Sequence, residues 1–421
     1  MAQRSLTNTV RRTWRIAPFA AYLIAVSGWF FGFGLQTTIF PGVINYTLNE
    51  TPERLGFAQA ALTAPMLFLL PIAGVLAERL DRRKVMTGFH LVAAASAALL
   101  AWLLLNDRLH YDILVAYALV VGVAGAFVMP ARDSAVNPVT RVAQRMGRPG
   151  FTLQKAVILA SLVQFAAQIL GMAAGFLAGL FGPGPLFAAQ AAALVIGGLA
   201  ALFLPRLQTR KTPGEPVLQS LVDGVRAVFS SPVLAPMTLI MMAVGCLIVG
   251  GGFFVIVPIL VRDEYAGGYG LLSALLVVFW LGAFAANAIL ARLGAIERPG
   301  LVLMAAQLVT VAAMGALALN IPLTGLFVLV FLWGLGGGVA ISLSRAVVQE
   351  NAPADKIARV MSVYQLGLFG GMPLGAFLMG HVVAELGARL ASLIPAVGLL
   401  LVLIAIGALT PILSVRRVDP A

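Results

Sequence analysis

Long apolar runs separated by short polar segments follow one another along almost the whole chain. Each run has about 20 residues or more, enough for a helix to cross the hydrocarbon core of a bilayer. Barrel strands would instead alternate apolar and polar residues over about ten positions. The sequence therefore predicts an all-α integral membrane protein with twelve transmembrane helices, placed at 18–47, 55–78, 85–105, 112–131, 155–180, 184–205, 233–261, 268–291, 300–319, 322–344, 358–383 and 389–413.

Composition supports a membrane protein and argues against several kinds of chemistry. The chain is 61% hydrophobic and 10% charged, whereas a soluble protein carries about 25% charged residues. Its single cysteine, Cys246, cannot form a disulfide within the chain, and its three histidines are scattered. We find no phosphate-binding Gly-Lys-Ser/Thr loop and no convincing Ser, His and acid arrangement. We therefore expect no enzymatic activity, no metal and no cofactor.

The chain has a net charge of +12, and the distribution of its basic residues indicates which loops face the cytoplasm. All but four of the 28 Lys and Arg residues fall in segments that alternate to one side of the predicted spans, the exceptions being Arg54, Arg108, Arg262 and Arg389. The positive-inside rule places that side in the cytoplasm. We expect a multi-pass protein of the inner (plasma) membrane with both termini cytoplasmic. Contact with membrane lipids is expected, and nucleic-acid binding is not.

The segment 74–84, between the second and third spans, holds six charges within residues 78–84. It resembles the loop signature of the major facilitator superfamily, Gly-x-Leu-Ala-Asp-Arg-x-Gly-Arg-Arg/Lys. Two positions depart from that signature, Glu78 in place of Asp and Asp81 in place of Gly. Asp at the second position is familiar in the branch that includes the enterobactin exporter. The residues that fit are Gly74, Leu76, Ala77, Arg79, Arg82 and Arg83.

The resemblance implies the major facilitator fold, two six-helix repeats around a central cavity. Internal spacing supports a repeat, because Arg79 and Arg292 are separated by the same distance in sequence as Arg132 and Arg345. The segments 171–175 and 371–375 also match each other. We predict an N-terminal bundle at 1–205, a cytoplasmic linker at 206–232 that contains an amphipathic helix over 217–229, and a C-terminal bundle at 233–421.

A conformational latch is a second implication of the resemblance. In the superfamily, an acidic residue at the end of the fourth helix pairs with the arginine of the signature loop. Asp133 is placed to pair with Arg79 in this way, although Arg132 and Asp133 could instead mark a solvated span end. The predicted latch comprises Gly74, Glu78, Arg79, Asp81, Arg82, Arg83 and Asp133.

The predicted cavity carries amides and aromatic rings. Every charged residue falls in a loop or at the end of a predicted span, so we expect no fixed charge at its centre. Such a cavity suits a neutral or weakly charged lipophilic molecule. Any one of these side chains could instead belong to the packed core. The predicted cavity residues are Trp29, Gln36, Gln164, Gln168, Met241, Phe253, Trp280, Trp333, Tyr364 and Gln365.

Glycines recur inside the spans. Gly171, Gly175 and Gly179 lie four residues apart and should line one helix face that allows a neighbour to approach closely. The triplets 250–252 and 336–338 are expected to interrupt the seventh and tenth spans, either for bending or for close packing.

The sequence thus favours a monomeric transporter that exports a small lipophilic molecule by alternating access, as an antiporter with protons. Export is suggested by the fifth span, which resembles a Gly-Pro-x-x-Gly-Gly pattern of exporting family members, although Met172 stands where the proline would be. Two alternatives stay open. One is uptake of a nutrient or lipid-like metabolite, and the other is a scaffold or sensor that does not transport.

Arg79→Ala tests the latch. We expect this variant to reach the membrane in a folded state but to transport poorly, because the signature loop loses the cation that its acidic partner needs. Dye accumulation in cells expressing matched amounts of wild type and variant measures the effect. Normal transport by Arg79→Ala would remove the latch from the mechanism.

Overall fold

The computed structural model describes residues 17–145, 152–205, 217–293, 296–353 and 356–414. Fifteen α-helices lie in these ranges. Two short ones, Ala178–Phe181 and Val257–Asp263, extend longer helices, and the other thirteen are numbered in chain order. They are α1 (Ala17–Gly42), α2 (Pro52–Arg79), α3 (Arg82–Leu105), α4 (Tyr111–Arg145), α5 (Leu153–Ala174), α6 (Pro183–Leu202), α7 (Val217–Phe229), α8 (Leu234–Ala243), α9 (Tyr269–Leu293), α10 (Pro299–Ala316), α11 (Leu323–Asn351), α12 (Ile357–Ala391) and α13 (Leu393–Leu409).

Three helices continue into turns of other geometry. A wide-turned segment, Val43–Thr47, extends α1, and a tight turn at Gly175–Leu177 joins α5 to Ala178–Phe181. A longer wide-turned segment, Val244–Ile256, joins α8 to Val257–Asp263. With these extensions, the helices follow the predicted spans closely.

Ten helices within the described ranges are long and apolar enough to cross a membrane. The protein is therefore an all-helical membrane protein, as predicted. The last helix, α13, has 17 residues and falls below that length. Gly387 breaks the preceding helix with a positive φ of 74°, a conformation that glycine adopts without steric cost. The full set of twelve crossings stays a prediction.

The fourth helix corrects one sequence prediction. The fourth span was expected to end at residue 131. Instead, α4 continues without a break to Arg145, through Pro130 and Pro138. A proline removes only one backbone hydrogen bond, and neighbouring helices in a bundle can hold the helix together around it. Arg132 and Asp133 therefore lie inside a helix and not at its end.

The glycines of α11 correct a second prediction. This helix is continuous through Gly334 and 336–338, so these residues do not interrupt it. A Cβ on Gly334 would meet the carbonyl oxygen of Phe279, and one on Gly338 would lie 2.6 Å from that of Ala283. The glycines of α11 therefore serve close packing against α9. The triplet 250–252, in contrast, does lie in the wide-turned segment Val244–Ile256.

The contacts group the described chain into two units, residues 1–40 with 68–214 and residues 41–67 with 215–421. In the first unit, α3 packs against α6 and α4. In the second, α8 and its wide-turned extension pack against α12, α9 packs against α11, and α10 packs against α11 and α13.

The predicted amphipathic helix forms over its expected residues, as α7. It packs against α12, where Arg359 donates a hydrogen bond to Asp223 at 3.2 Å. Residues 206–216 of the predicted linker lie outside the described residues. The proposed bundle boundaries at 205 and 233 stay predictions.

Glycines bring α1 and α5 into backbone contact in the first unit. A Cβ on Gly34 would meet the carbonyl oxygen of Gln168, and one on Gly171 would meet that of Phe31. A Cβ on Gly175 would lie 2.7 Å from the side chain of Thr38. The predicted close approach is confirmed for Gly171 and Gly175, whereas Gly179 has open space around it.

The second unit repeats this contact between α8 and α12. A Cβ on Gly245 would meet the carbonyl oxygen of Leu368, and one on Gly371 would lie 2.8 Å from that of Met242. Leu368 and Gly371 are the residues that the internal repeat pairs with those on α5. Each unit therefore joins one helix pair through the same kind of glycine contact.

Gly171→Val is expected to destabilise the protein, and Gly179→Val is its matched control. The added side chain at 171 must push α1 from α5, and overpacking of this kind costs about 1–3 kcal/mol. Thermal unfolding of the two purified variants measures the difference. Equal melting temperatures would contradict the assigned contact.

Candidate functional site

The most polar cluster within the first unit surrounds Arg132 of α4. Its guanidinium donates from Nε and Nη2 to Asp133 Oδ1, at 2.9 and 2.5 Å. Nη1 donates to Gln164 Oε1 of α5 at 2.8 Å. The ring of Phe30 lies 4.7 Å from the guanidinium carbon, and the hydroxyl of Tyr22 donates to the Arg132 carbonyl at 3.4 Å. We call these five residues the Arg132 cluster.

The expectation that no charge lies deep within a span stays a prediction, and Arg132 is largely enclosed by neighbouring side chains. Phe30 is about 20 Å along α1 from Ala17, and Gln164 about 16 Å along α5 from Leu153, at about 1.5 Å per residue. Arg132 itself lies about 32 Å along α4 from Tyr111, next to the predicted end of the fourth span at residue 131.

A chain of buried hydrogen bonds joins α4, α6 and α1. The hydroxyl of Tyr117 donates to Gln190 Oε1 at 3.0 Å, and Gln190 Nε2 donates to Gln36 Oε1 at 3.3 Å. All three side chains are buried. Sequence reasoning selected Gln36 but missed Gln190, although a lone amide inside the apolar run of α6 was a comparable signal.

Trp29 lies at the interface between α1 and α3. Its ring packs edge-on against His90 at 5.1 Å. The imidazole lies within hydrogen-bonding distance of two carbonyl oxygens, those of Met86 at 2.7 Å and Ala25 at 3.2 Å. Both rings are buried, so this pair packs helices together.

Three predicted cavity residues meet around a ring that sequence reasoning missed. Phe279 lies 5.0 Å from Phe253, 5.2 Å from Trp333 and 6.0 Å from Trp280, measured between ring centroids. Phe253 and Trp333 are buried and Trp280 is half-buried. They form an aromatic core that joins the wide-turned segment after α8 to α9 and α11.

The other predicted cavity residues are dispersed within their units. Met241 is fully buried on α8, and Gln168 is buried on α5 where Gly34 approaches it. Tyr364 shares a 2.6 Å hydrogen bond with Ser344. Gln365 is half-buried, as are Gln164 and Trp280. Contact with a transported molecule stays a prediction for all ten.

The predicted latch is described only in part. Gly74 and the side chains of Glu78 and Arg79, near the end of α2, are outside what the structure describes. The pairing of Arg79 with Asp133 therefore stays a prediction. Asp81 caps the start of α3 by accepting a hydrogen bond from the Arg83 backbone N–H at 3.1 Å. Such a cap satisfies one of the free N–H groups of a helix start.

Two further latch residues can be placed. Arg82 is buried at the start of α3. Asp133 is the more exposed partner of its ion pair with Arg132. Its side chain is 55% exposed, and that of Arg132 is 12% exposed.

A second polar cluster, within the second unit, joins the end of α1 to the segment between α8 and α9. Arg262 donates from Nη1 to the Glu50 carbonyl at 3.0 Å and to Asn45 Oδ1 at 3.5 Å. Thr47 Oγ1 and the Tyr269 hydroxyl share a 2.8 Å hydrogen bond. We call these residues the Arg262 cluster.

The start of α2 packs tightly on α12 in the same unit. A Cβ on Gly380 would lie 2.8 Å from the Pro52 carbonyl oxygen and 3.0 Å from Gly56 Cα. Gln59, one turn further along α2, is buried, and its amide donates to the Phe254 carbonyl at 3.4 Å.

A cavity of about 350 Å³ opens between α9, α10 and α11. Asn287, Ser342 and Glu350 supply its polar lining, and Ser342 donates to Asn287 Oδ1 at 2.5 Å. None of the predicted cavity residues lines it. Among the described residues, no group of three His, Cys, Asp or Glu side chains could hold a metal ion.

Comparison with known proteins identifies the class to which this fold and these polar clusters belong. Residues 31–418 match the model of the transmembrane secretion effector family of the major facilitator superfamily. The chain belongs to this family, whose members are transporters and not enzymes. The resemblance drawn from the 74–84 segment is confirmed.

Curated relatives include two exporters. The enterobactin exporter EntS of Shigella flexneri is 26% identical over 79% of this chain and 77% of its own length. The multidrug efflux pump Tap of Mycolicibacterium fortuitum is 27% identical over 91% of this chain and 92% of its own length.

Solved structures share the fold at low identity. A mutant of the nucleoside transporter NupG has a TM-score of 0.74 at 15% identity, with 93% of this chain and 99% of that chain covered. A bacterial homologue of the human lysosomal transporter Spinster, in an inward-facing and unoccupied conformation, has a TM-score of 0.65 at 16% identity, with 97% and 99% covered.

Gly380→Val is expected to separate the start of α2 from α12, because the new side chain meets only backbone atoms there. We expect a cysteine placed at buried Gln59, in a Cys246→Ala background, to react faster with a maleimide after this change. Gly88→Val is the matched control, since Gly88 has open space around it. Equal labelling rates in the two variants would contradict the contact.

Proposed function

We propose that this protein is a secondary active transporter that exports small lipophilic compounds from the cytoplasm by alternating access, driven by protons. The observation that carries the proposal is the match to a secretion effector family over residues 31–418. Both curated relatives described above are named as exporters. Drug-like or siderophore-like molecules are the substrate classes that fit those names.

The architecture we propose has twelve spans in two six-helix halves, 1–205 and 233–421. The repeated glycine contacts support it, because α1 with α5 and α8 with α12 approach each other in the same way. We further propose that the chain works as a monomer in the inner membrane with both termini in the cytoplasm. The distribution of Lys and Arg supports that orientation.

Alternation requires contacts that break when one side of the transporter opens. We assign the Arg262 cluster and the Gly56 and Gly380 crossing to the periplasmic side, where they would hold residues 41–67 against the rest of the second unit while that side is closed. On the cytoplasmic side, the latch of Arg79 with Asp133 would hold the opposite state. Asp133 bonds to Arg132 in the structure, so it would have to exchange one arginine for the other.

Asp133 is the carboxylate that we propose to take part in proton coupling. Its side chain is 55% exposed and is paired with the Arg132 guanidinium, whose side chain is 12% exposed. Protonation of Asp133 would therefore release Arg132 and weaken the pairing with Arg79. Glu53 suits this role less well. A hydrogen bond from the Thr51 hydroxyl lowers the pKa of Glu53, which keeps that carboxylate ionised at neutral pH.

Accumulation of a panel of lipophilic dyes, drugs and siderophores in expressing cells tests the proposal. We expect wild-type cells to accumulate less of at least one compound, and a protonophore to abolish the difference. Arg132→Lys and Asp133→Asn serve as variants, with membrane levels matched. Greater accumulation in wild-type cells would indicate uptake, and no difference for any compound would favour a scaffold or sensor.

A further inference from the structure

We propose that Arg132 binds the anionic group of the exported compound, so that the preferred substrates are amphipathic organic anions. Such a substrate would carry a carboxylate, phenolate or sulfonate on an apolar aromatic body. This inference rests on the proposed export function and deepens it. It also replaces the sequence-based expectation of a neutral ligand.

The burial of Arg132 is the first argument. A charged side chain enclosed between the helices of a membrane bundle is costly and often marks a substrate or ion pathway. The Arg132 side chain is 12% exposed, and the other members of its cluster are polar or aromatic. A residue kept there at such a cost needs a role, and binding an anion is the role that a guanidinium fills best.

The pairing with Asp133 leaves room for another anion. Both hydrogen bonds to this carboxylate reach one oxygen, Oδ1. Adjacent residues on a helix do not face each other, so Asp133 reaches Arg132 from the side. Since the carboxylate is largely solvated, an incoming anion can displace it into water and occupy Nε and Nη2 in a bidentate manner.

The surroundings of the guanidinium fit an aromatic anion. Phe30 covers the guanidinium at 4.7 Å, and Gln164 holds Nη1 at 2.8 Å. These two contacts fix the plane of the guanidinium without neutralising its charge, because neither partner is an anion. The apolar body of the substrate would contact the exposed parts of α4 and α5.

The second unit argues against a purely structural role. Arg345 occupies the position on α11 that the internal repeat pairs with Arg132. It is exposed, and Ala346 follows it in place of the aspartate. The helix therefore folds without a buried arginine at that position. The burial of Arg132 is a property of the first unit alone.

Two probes with the same aromatic body separate charge from apolar contact. The full chain, reconstituted in nanodiscs, is titrated with 1-pyrenebutyrate and with 1-pyrenebutanol, with empty nanodiscs as the blank. We expect wild type to bind the carboxylate about tenfold more tightly than the alcohol, which corresponds to about 1.4 kcal/mol. Export of both probes from proteoliposomes is measured in parallel.

Three variants assign the preference to Arg132. Arg132→Gln should lower the affinity for pyrenebutyrate to that for pyrenebutanol. Asp133→Asn should raise the affinity for pyrenebutyrate alone, because the competing carboxylate is removed. Arg345→Gln is the matched control and should change neither. Size-exclusion profiles and melting temperatures show that each variant is folded.

Several results would overturn the anion site. They are equal binding of the two probes by wild type, retention of the preference by folded Arg132→Gln, and a weaker anion affinity in Asp133→Asn. If Arg132→Gln does not fold, Asp133→Asn decides alone, since it leaves the arginine in place. Export of both probes without preference for the carboxylate would overturn the anion site but leave the proposed export function intact. Tighter binding of the carboxylate without export of either probe would support the anion site and overturn the proposed function.

Discussion

A polar group inside a bilayer must find its partner within the protein, because no water is available to it there. This constraint accounts for the polar arrangement of the first unit. Gln36 reaches Gln190 and Tyr117, and Arg132 reaches Gln164 and Asp133. Each contact ties two or three helices together at a defined register. The polar groups thus set the register of α1, α4, α5 and α6 while leaving one cation accessible at the edge of the bundle.

Hydropathy predicted the helices well because the length and continuity of an apolar run are local properties. It failed where the end or the continuity of a helix depended on packing against neighbouring helices. Pro130 and the charge at Arg132 suggested a span end, yet α4 continues because the bundle supports it. The glycines of α11 suggested a break, yet α9 packs into the space that they leave.

The sequence indicates which polar and aromatic residues lie in the apolar runs, but it does not indicate which of them contact one another. Gln36 and Gln164 stand out in the sequence as polar residues in apolar runs, but the sequence does not show that one meets Gln190 and the other Arg132. The aromatic residues Phe253 and Trp333 look alike in a cavity and in a core, and only packing around Phe279 shows that they are buried. Pairing is a property of three-dimensional neighbours, which a single sequence does not record.

The first helix is shared between the two contact units, since residues 17–40 belong to one and 41–47 to the other. Pro41 and the wide turn Val43–Thr47 lie at that junction. A proline and a run of longer hydrogen-bonded turns make a helix compliant at one point. The last turns of α1, from Pro41 to Thr47, are therefore the part of this helix that can bend most easily, whereas residues 17–40 keep the regular α-helical geometry that holds Gln36 in place.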